Sequence, residues 1–329
     1  MKIKETVGID VSKLTIDVFI HGRQLHKQFK NNNEGFASMV AWVRDSIHVP
    51  IEEVHICFEH TGLYSLPLSV YLTENKHPFS MISGLELKRS QGLKRGKDDK
   101  VDAGAIALYA YRRREELKPY VLPSTSLLEL RKLLSLRDKL VRQRAGYKVS
   151  SGEARCAGND GGIFGEVHQE MIKALDKEVG KLEKRLREII KGDKLLDEQF
   201  KLVSSVKGVG EQTSMYIIVY TNAFTLFDDS RKFASYPGIA PFPNRSGTSI
   251  RGRDSVSPMA NLKMKSLLSN CATSAITCNP EMTEYYERRL ASGKDKMSTI
   301  NVVRNKLLGR VFAAVKRGTP YVDTMKYKG

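Results

Sequence analysis

The first third of the chain alternates short apolar runs with turn residues, as the strands of a small sheet do. A helical pattern follows the third run, and further helical patterns separate the later ones. The predicted strands are Thr6–Ile9, Leu14–Ile20, Gln24–Phe29, Val54–Glu59 and Pro78–Ile82. Three strands, a helix and then alternating strands and helices form the element order of an RNase H-like α/β fold.

After Pro123 the apolar spacing becomes helical. Leucines recur from Leu127 to Leu140, Gly146–Gly165 is predicted to interrupt the helix, and Met171–Ile189 resumes at coiled-coil spacing. The pattern fits an antiparallel helical hairpin that packs on itself. The competing interpretation is a dimerisation arm that aligns two copies of the chain.

The last part of the chain is predicted to be mostly helical. Gly208 and Gly210 separate two helical patterns, either as a tight turn or as a helix-hairpin-helix whose backbone amides meet a phosphate. Residues 233–253 contain three prolines and three glycines, which predicts an ordered, non-helical loop after Tyr236. The expected division is an α/β domain over 1–122, a helical, coiled-coil segment over 123–198 and a mostly helical domain over 199–329.

The net charge of the chain predicts the class of its binding partner. Among 329 residues, 54 are basic and 37 acidic, which leaves a net charge of +17. A surplus of this size predicts a polyanion, with nucleic acid ahead of an acidic membrane. The most apolar run, Met215–Tyr220, is too short to cross a bilayer, and the N-terminus lacks the apolar core of a signal peptide. Proteins that merely package nucleic acid share such a surplus, so charge alone does not indicate an enzyme.

The four cysteines, at positions 57, 156, 271 and 278, form no C-x-x-C pair and do not cluster with histidines. Buried free thiols in a reducing cytoplasm are therefore expected, and a zinc site is not.

Two aspartates stand three positions apart in Gly96–Ala107, which reads GKDDKVDAGAIA. Asp99 and Asp102 would share one face at the start of a helix, so both carboxylates can converge on one cation. The plainer interpretation is helix capping and solvated charge. Basic residues crowd the same stretch, which suits a polyanionic substrate; they include Lys94, Arg95 and Lys97.

Two further acids close predicted strands, Asp10 the first and Glu59 the fourth. If those strands are neighbours, both carboxylates emerge at one edge of the sheet, where α/β active sites form. Together with Asp99 and Asp102 they supply four oxygen donors, the ligand type that Mg²⁺ prefers. Two such ions about 3.5–4 Å apart can activate a nucleophile and stabilise a leaving oxygen.

Three segments, VGIDVSK, FEHTGLYS and GKDDKVDAGAIA, resemble the DEDD insertion-sequence transposases. That group includes the Piv-type DNA invertases and the bridge-RNA-guided recombinases of the IS-one-ten family. The resemblance implies a RuvC-like N-terminal domain in which Asp10, Glu59, Asp99 and Asp102 bind Mg²⁺. It also implies donor and target DNA, a structured noncoding guide RNA, and a homo-oligomer in which dimers assemble into tetramers.

A serine in the segment PGIAPFPNRSGTSIRGR is the candidate nucleophile. Ser246 lies between Arg245 and Gly247, and Ser249, Arg251 and Arg253 follow. Alone, a Ser-Gly pair is a turn signal, but neighbouring guanidiniums could stabilise an alkoxide and a phosphorane-like charge. The segment resembles the family's C-terminal motif, whose serine is proposed to join DNA covalently. Ser246 is the first choice and Ser249 the second.

The sequence therefore predicts a cytoplasmic, nucleoid-associated recombinase of an insertion element that needs Mg²⁺ and exchanges strands through a phosphoserine link. Two alternatives stay open. A RuvC-like structure-specific nuclease would use water as its nucleophile, and an architectural nucleic-acid protein would perform no chemistry.

Overall fold

The computed structural model describes residues 3–91, 99–158, 161–246 and 250–322, with backbone alone at residues 91, 244–246, 250, 251 and 253. The chain divides into two compact units, Met1–Leu122 and Pro123–Gly329. The finer division of the second unit at residue 198 stays a prediction.

The first unit is built on a five-stranded sheet with the order β3-β2-β1-β4-β5. β1, β2 and β3 form an antiparallel meander, and β4 and β5 continue the sheet parallel to β1. The strands are β1 (Glu5–Val11), β2 (Thr15–Ile20), β3 (Leu25–Lys30), β4 (Val54–Glu59) and β5 (Phe79–Ile82). All five predicted strands are present, and a mixed α/β unit is confirmed. The RNase H/RuvC-like assignment stays a prediction.

Helices cover both faces of this sheet. They are α1 (Asn33–Ser46), α2 (Leu66–Glu74), α3 (Gly84–Gln91) and α4 (Asp99–Arg112). Asn32 caps α1, its side chain accepting a hydrogen bond from the Gly35 amide at 2.9 Å. Apolar side chains of α1 and α2 form a core with alternate positions of β1, among them Val7 and Ile9.

The opposite face of β1 carries Thr6, Gly8 and Asp10, and α4 packs directly on it. A Cβ at Gly8 would lie 2.3 Å from both the Ala103 carbonyl oxygen and the Ala107 amide nitrogen. The Thr6 hydroxyl donates a 3.0 Å hydrogen bond to the Ala107 carbonyl, inside the core. Backbone therefore meets backbone here, because neither element has a bulky side chain in between.

The second unit is mostly helical and adds one hairpin of two strands. Its elements are α5 (Thr125–Cys156), α6 (Gly162–Gly192), α7 (Lys194–Ser204), α8 (Glu211–Tyr220), α9 (Ser230–Ser235), β6 (Pro241–Ser246), β7 (Ile250–Val256), α10 (Leu262–Cys278), α11 (Pro280–Ala291) and α12 (Lys296–Arg317). One core joins the base of α5 and α6 to α7–α12. Within the described residues, no helix is long and apolar enough to cross a membrane.

α5 and α6 pack against each other as an antiparallel hairpin. Ion pairs cross it from Arg137 to Glu183 at 2.7 Å and from Arg185 to Glu129 at 2.9 Å. The predicted interruption at Gly146–Gly165 is wrong over most of its length, since α5 continues to Cys156. Two glycines cost helix propensity, but packing against α6 outweighs that cost.

Two other expectations also need correction. The segment predicted as a loop after Tyr236 is non-helical as expected but contains the antiparallel hairpin β6–β7, because β-pairing accommodates Pro241 at the start of an edge strand. Cys57 and Cys271 are buried free thiols as expected, but Cys156 and Cys278 are exposed, also as free thiols. Cys278 is the last residue of α10, where the helix face turns outward.

We expect Gly8→Val to lower the free energy of unfolding by about 2–3 kcal/mol, because its side chain would push α4 off the sheet. Chemical denaturation measures this change. The matched control is Gly104→Ala on α4, where the added Cβ meets only the Phe19 ring at 3.6 Å. That change should be neutral or stabilise by up to about 1 kcal/mol. A Gly8→Val protein as stable as the parent would contradict the close contact described here.

Candidate metal centre

The centre is built where β1 meets the first turn of α4. Asp10 stands near the end of β1 on the face that α4 covers, and it is partly buried. Asp99 opens α4, and Asp102 follows one turn later on the same side. The close packing of α4 on Gly8 therefore carries both helix carboxylates toward the strand carboxylate.

Three of the four predicted acids come together. Carboxylate oxygens of Asp10, Asp99 and Asp102 all lie within 4.8 Å of one another. Asp99 is exposed, whereas Asp10 and Asp102 are partly buried, so the group opens toward solvent on the helix side. Three carboxylates at this separation repel one another unless a cation or protons intervene.

Glu59 lies near these three aspartates but does not belong to the group whose carboxylate oxygens converge. It ends β4, the parallel neighbour of β1, so the two strand ends meet at one edge of the sheet. Its Oε1 lies 2.0 Å from the position that a Cβ on Gly84 would occupy, so the carboxylate rests against the start of α3. Glu59 is nevertheless close enough for its charge to contribute to the raised pKa of Asp10.

The surroundings of Asp10 raise the pKa of its carboxyl group. Burial is the main cause that raises the pKa of Asp10 to about 6, and the charges of Asp99, Asp102, Asp17 and Glu59 add to it. A carboxyl group with this pKa carries an energetic cost when it is ionised at neutral pH. A bound cation would remove the cost by reversing the sign of the local field.

Asp17 is an acid of this region that the motif analysis missed. It pairs with Asp10 across β1 and β2 and is buried, with only 5% of its surface exposed. His26 Nε2 and Gln28 Nε2 on β3 each lie 2.9 Å from its carboxylate oxygens. A charged residue within the apolar run of β2 was the available signal, since buried acids need partners of this kind.

The residues present fit a hard divalent cation. Asp10, Asp99 and Asp102 would hold it, with Glu59 next to them, and carboxylate oxygens are the donors that Mg²⁺ prefers. The carboxylate of Asp17 is already hydrogen-bonded to His26 and Gln28. It would therefore support the site as a neighbour of Asp10 and not as a ligand.

The serine segment belongs to the second unit. Ser246 ends β6, and its register partner is Ile250 at the start of β7, so it stands at the tip of the hairpin. Arg245 pairs with Arg251 one step down, and Arg253 lies further along β7. Ser249, Lys94, Arg95 and Lys97 lie outside the described residues.

Comparison with known proteins assigns both halves of the chain to one type of protein. The family model of the DEDD transposases of IS110 type matches residues 7–150, which include all four acids. The model of the IS116/IS110/IS902 transposase family matches residues 200–287, which include the serine hairpin.

Individual relatives agree with these models. The chain is 25% identical to the pilin gene-inverting protein of Moraxella bovis over 97% of this chain and 98% of that protein. It matches the pilin gene-inverting protein of Moraxella lacunata to the same extent. It is also 29% identical to an uncharacterized protein of insertion element IS110 from Streptomyces coelicolor, over 38% of this chain and 30% of that protein.

The pKa of Asp10 predicts how stability depends on pH. Because the folded-state pKa of about 6 exceeds the unfolded value of about 3.9, ionisation destabilises the fold, and stability falls as pH rises from about 4 to 6. We expect Asp10→Asn to raise the unfolding free energy of the metal-free protein by about 1–2 kcal/mol at pH 7 and to have little effect at pH 4.

Chemical denaturation at the two pH values checks this expectation, with exposed Asp45→Asn on α1 as the control. Millimolar Mg²⁺ should stabilise the parent protein more than the Asp10→Asn variant. Equal effects of Asp10→Asn at pH 4 and pH 7 would rule out ionisation of Asp10 as the cause of the change in stability.

Proposed function

This chain belongs to the IS110 family of transposases, which are DNA recombinases, and on that premise we propose that it exchanges DNA strands through a covalent serine–DNA link. The observation that carries the proposal is the convergence of Asp10, Asp99 and Asp102 within the segment that the DEDD model matches. The relatives named for pilin gene inversion suggest inversion of a DNA segment as one outcome, and insertion of the element as another.

Asp10, Asp99 and Asp102 would hold Mg²⁺ in this proposal, assisted by Glu59. The ion would supply a Lewis acid that polarises the scissile phosphate and helps to neutralise its charge. The acids contribute the geometry: β1 and α4 fix their positions through backbone packing, so little reorganisation is needed when the substrate binds.

Ser246 is the proposed nucleophile, with Ser249 as the second candidate. The serine oxygen attacks the phosphorus and forms an ester, the bond from phosphorus to the leaving DNA oxygen breaks, and that oxygen takes up a proton. A hydroxyl of the exchanged strand then attacks the phosphoserine, and the serine oxygen recovers a proton. No hydrolysis occurs, so the energy of the phosphodiester is conserved.

The arginines of the hairpin support this assignment. Arg245 and Arg251 are register partners beside Ser246, and Arg253 follows on β7. Guanidinium groups bind phosphate oxygens in a bidentate manner and remain charged at any working pH. They would orient the scissile phosphate and stabilise the charge of the transition state.

A suicide DNA substrate tests the serine. Parent protein should form a covalent protein–DNA adduct that Ser246→Ala does not form, with strand exchange reduced on the order of 10⁴-fold or more. Ser249→Ala is the matched control and should keep the adduct. Exchange that survives both substitutions would favour water as the nucleophile and a nuclease of the RuvC type.

The acids have their own test. Asp102→Ala should keep the fold and lose DNA processing, because Asp102 is only partly buried and is not one of the buried core residues of α4, while it belongs to the group that would hold the ion. Thermal unfolding verifies folding, and the adduct assay verifies activity. Unchanged processing in Asp102→Ala would favour an architectural protein.

Guide RNA and a multimer complete the proposal. The net charge of +17 suits binding of both DNA and RNA. The far end of the α5–α6 hairpin exposes apolar side chains, which suits contact between copies; they are Val149, Ile163, Phe164 and Val167. Assembly of copies would also allow the acids of one chain to act with the serine of another.

Sequencing the RNA that copurifies with the protein tests the guide. One discrete transcript encoded beside the gene is the expected result. A mixture of unrelated cellular RNAs would contradict RNA guidance and leave the recombinase assignment standing.

A further inference from the structure

A groove of about 590 Å³ lies at the foot of the serine hairpin, within the second unit. One wall is α9 with the first residues of β6, and the other wall is α12. Phe242 lines the groove four residues before Ser246 on the same strand, about 13 Å along the chain. The volume falls in the range of about 300–1,000 Å³ that ligand pockets occupy.

The walls of the groove combine an aromatic ring with polar groups. Phe242 is 47% exposed, so one face of its ring is open. Arg231 stands at the lip, exposed and without an ion pair to any described residue. The side chains of Asn301 and Asn305 on α12 both donate hydrogen bonds to the Ile239 carbonyl, at 2.9 and 3.1 Å. These bonds fix the α12 wall of the groove to the segment that precedes β6.

A buried arginine, Arg304, is hydrogen-bonded to Asn301 but does not itself line the groove. Arg304 is only 6% exposed, and its single hydrogen bond among the described residues goes to Asn301 Oδ1 at a long 3.4 Å. Its buried Nε has no partner there. Burial lowers the pKa of the guanidinium, and no described carboxylate offsets that cost.

A buried, uncompensated guanidinium costs stability, and an anion bound nearby would offset part of that cost. Because its guanidinium is one hydrogen bond from Asn301, which lines the groove, its positive charge contributes to the electrostatic potential there. Arg231 adds a second unpaired cation at the entrance. Both charges attract an anion, and the open ring of Phe242 attracts a planar or apolar group.

We propose that this groove seats a nucleotide of the DNA strand that flanks the scissile phosphate. Its phosphodiester would lie in the field of Arg304 and Arg231, and its base or sugar would rest on Phe242. The inference deepens the proposed function, on which it rests, by adding a strand-positioning site to the serine hairpin. Arg304 is a positioning residue, since it acts through Asn301.

Arg304→Met separates the roles of this side chain, because methionine fills similar space without charge. The melting temperature should rise by a few degrees, since the uncompensated charge is gone. Affinity for a short mixed-sequence DNA duplex should fall about tenfold, and the slope of log affinity against log salt should fall by about 1. Fluorescence anisotropy with a Ser246→Ala background measures binding without cleavage.

Two further variants complete the design. Arg231→Gln, which alters an exposed side chain, should also lower DNA affinity several-fold without a change in melting temperature. Arg317→Met, at the exposed end of α12, is the matched control and should leave both quantities unchanged. The same binding measurements are repeated with an RNA duplex of the same sequence.

A more stable Arg304→Met protein that binds DNA like the parent overturns the proposal. A less stable Arg304→Met protein together with normal binding by Arg231→Gln also overturns it, because Arg304 would then be structural. If the two variants lose affinity for the RNA duplex alone, the groove binds RNA, and the proposal that it binds a DNA nucleotide is refuted. The assay reads binding only, so failure of the serine chemistry appears separately, as absence of the covalent adduct in the parent protein.

Discussion

The contact between β1 and α4 is the constraint on which the N-terminal unit depends. Gly8 has no side chain, and the facing residues of α4 are alanines, so the helix backbone lies directly on the strand. That proximity brings Asp99 and Asp102 within reach of Asp10. Apolar burial along the rest of the interface offsets the repulsion that three carboxylates generate. Packing, in this sense, holds together charges that would otherwise separate.

Each unit contains charged side chains whose charge is not balanced by a neighbouring group that the structure describes: they are negative in the first unit and positive in the second. The first unit gathers carboxylates, and burial together with their mutual repulsion raises the pKa of Asp10 to about 6. The second unit buries Arg304 with no acid beside it among the described residues. A divalent cation would compensate the first and a phosphodiester the second, and these are the two components that phosphoryl transfer brings together. Both sites store an energetic cost that binding would relieve.

The candidate metal centre was largely predictable because its acids stand at element boundaries. Asp10 and Glu59 end apolar strands, and Asp99 begins a helix, positions that periodicity alone locates. Asp17 was missed because a single acid within an apolar strand has no motif, and its role depends on pairing with β1 and β3. Glu59 was predicted to join the other acids, but its carboxylate rests over Gly84, a contact between residues distant in sequence.

The sequence by itself determined the strands of the first unit, the helical character of the second, the four acids and the serine segment. These follow from local periodicity, capping and residue type, which act over a few neighbouring positions. Only the tertiary structure decided that α5 continues through its glycines, that residues 241–256 form a hairpin, and that Arg304 is buried next to Asn301. Each of these depends on contacts between segments far apart along the chain, whose packing energy outweighs the local preferences that a single sequence reveals.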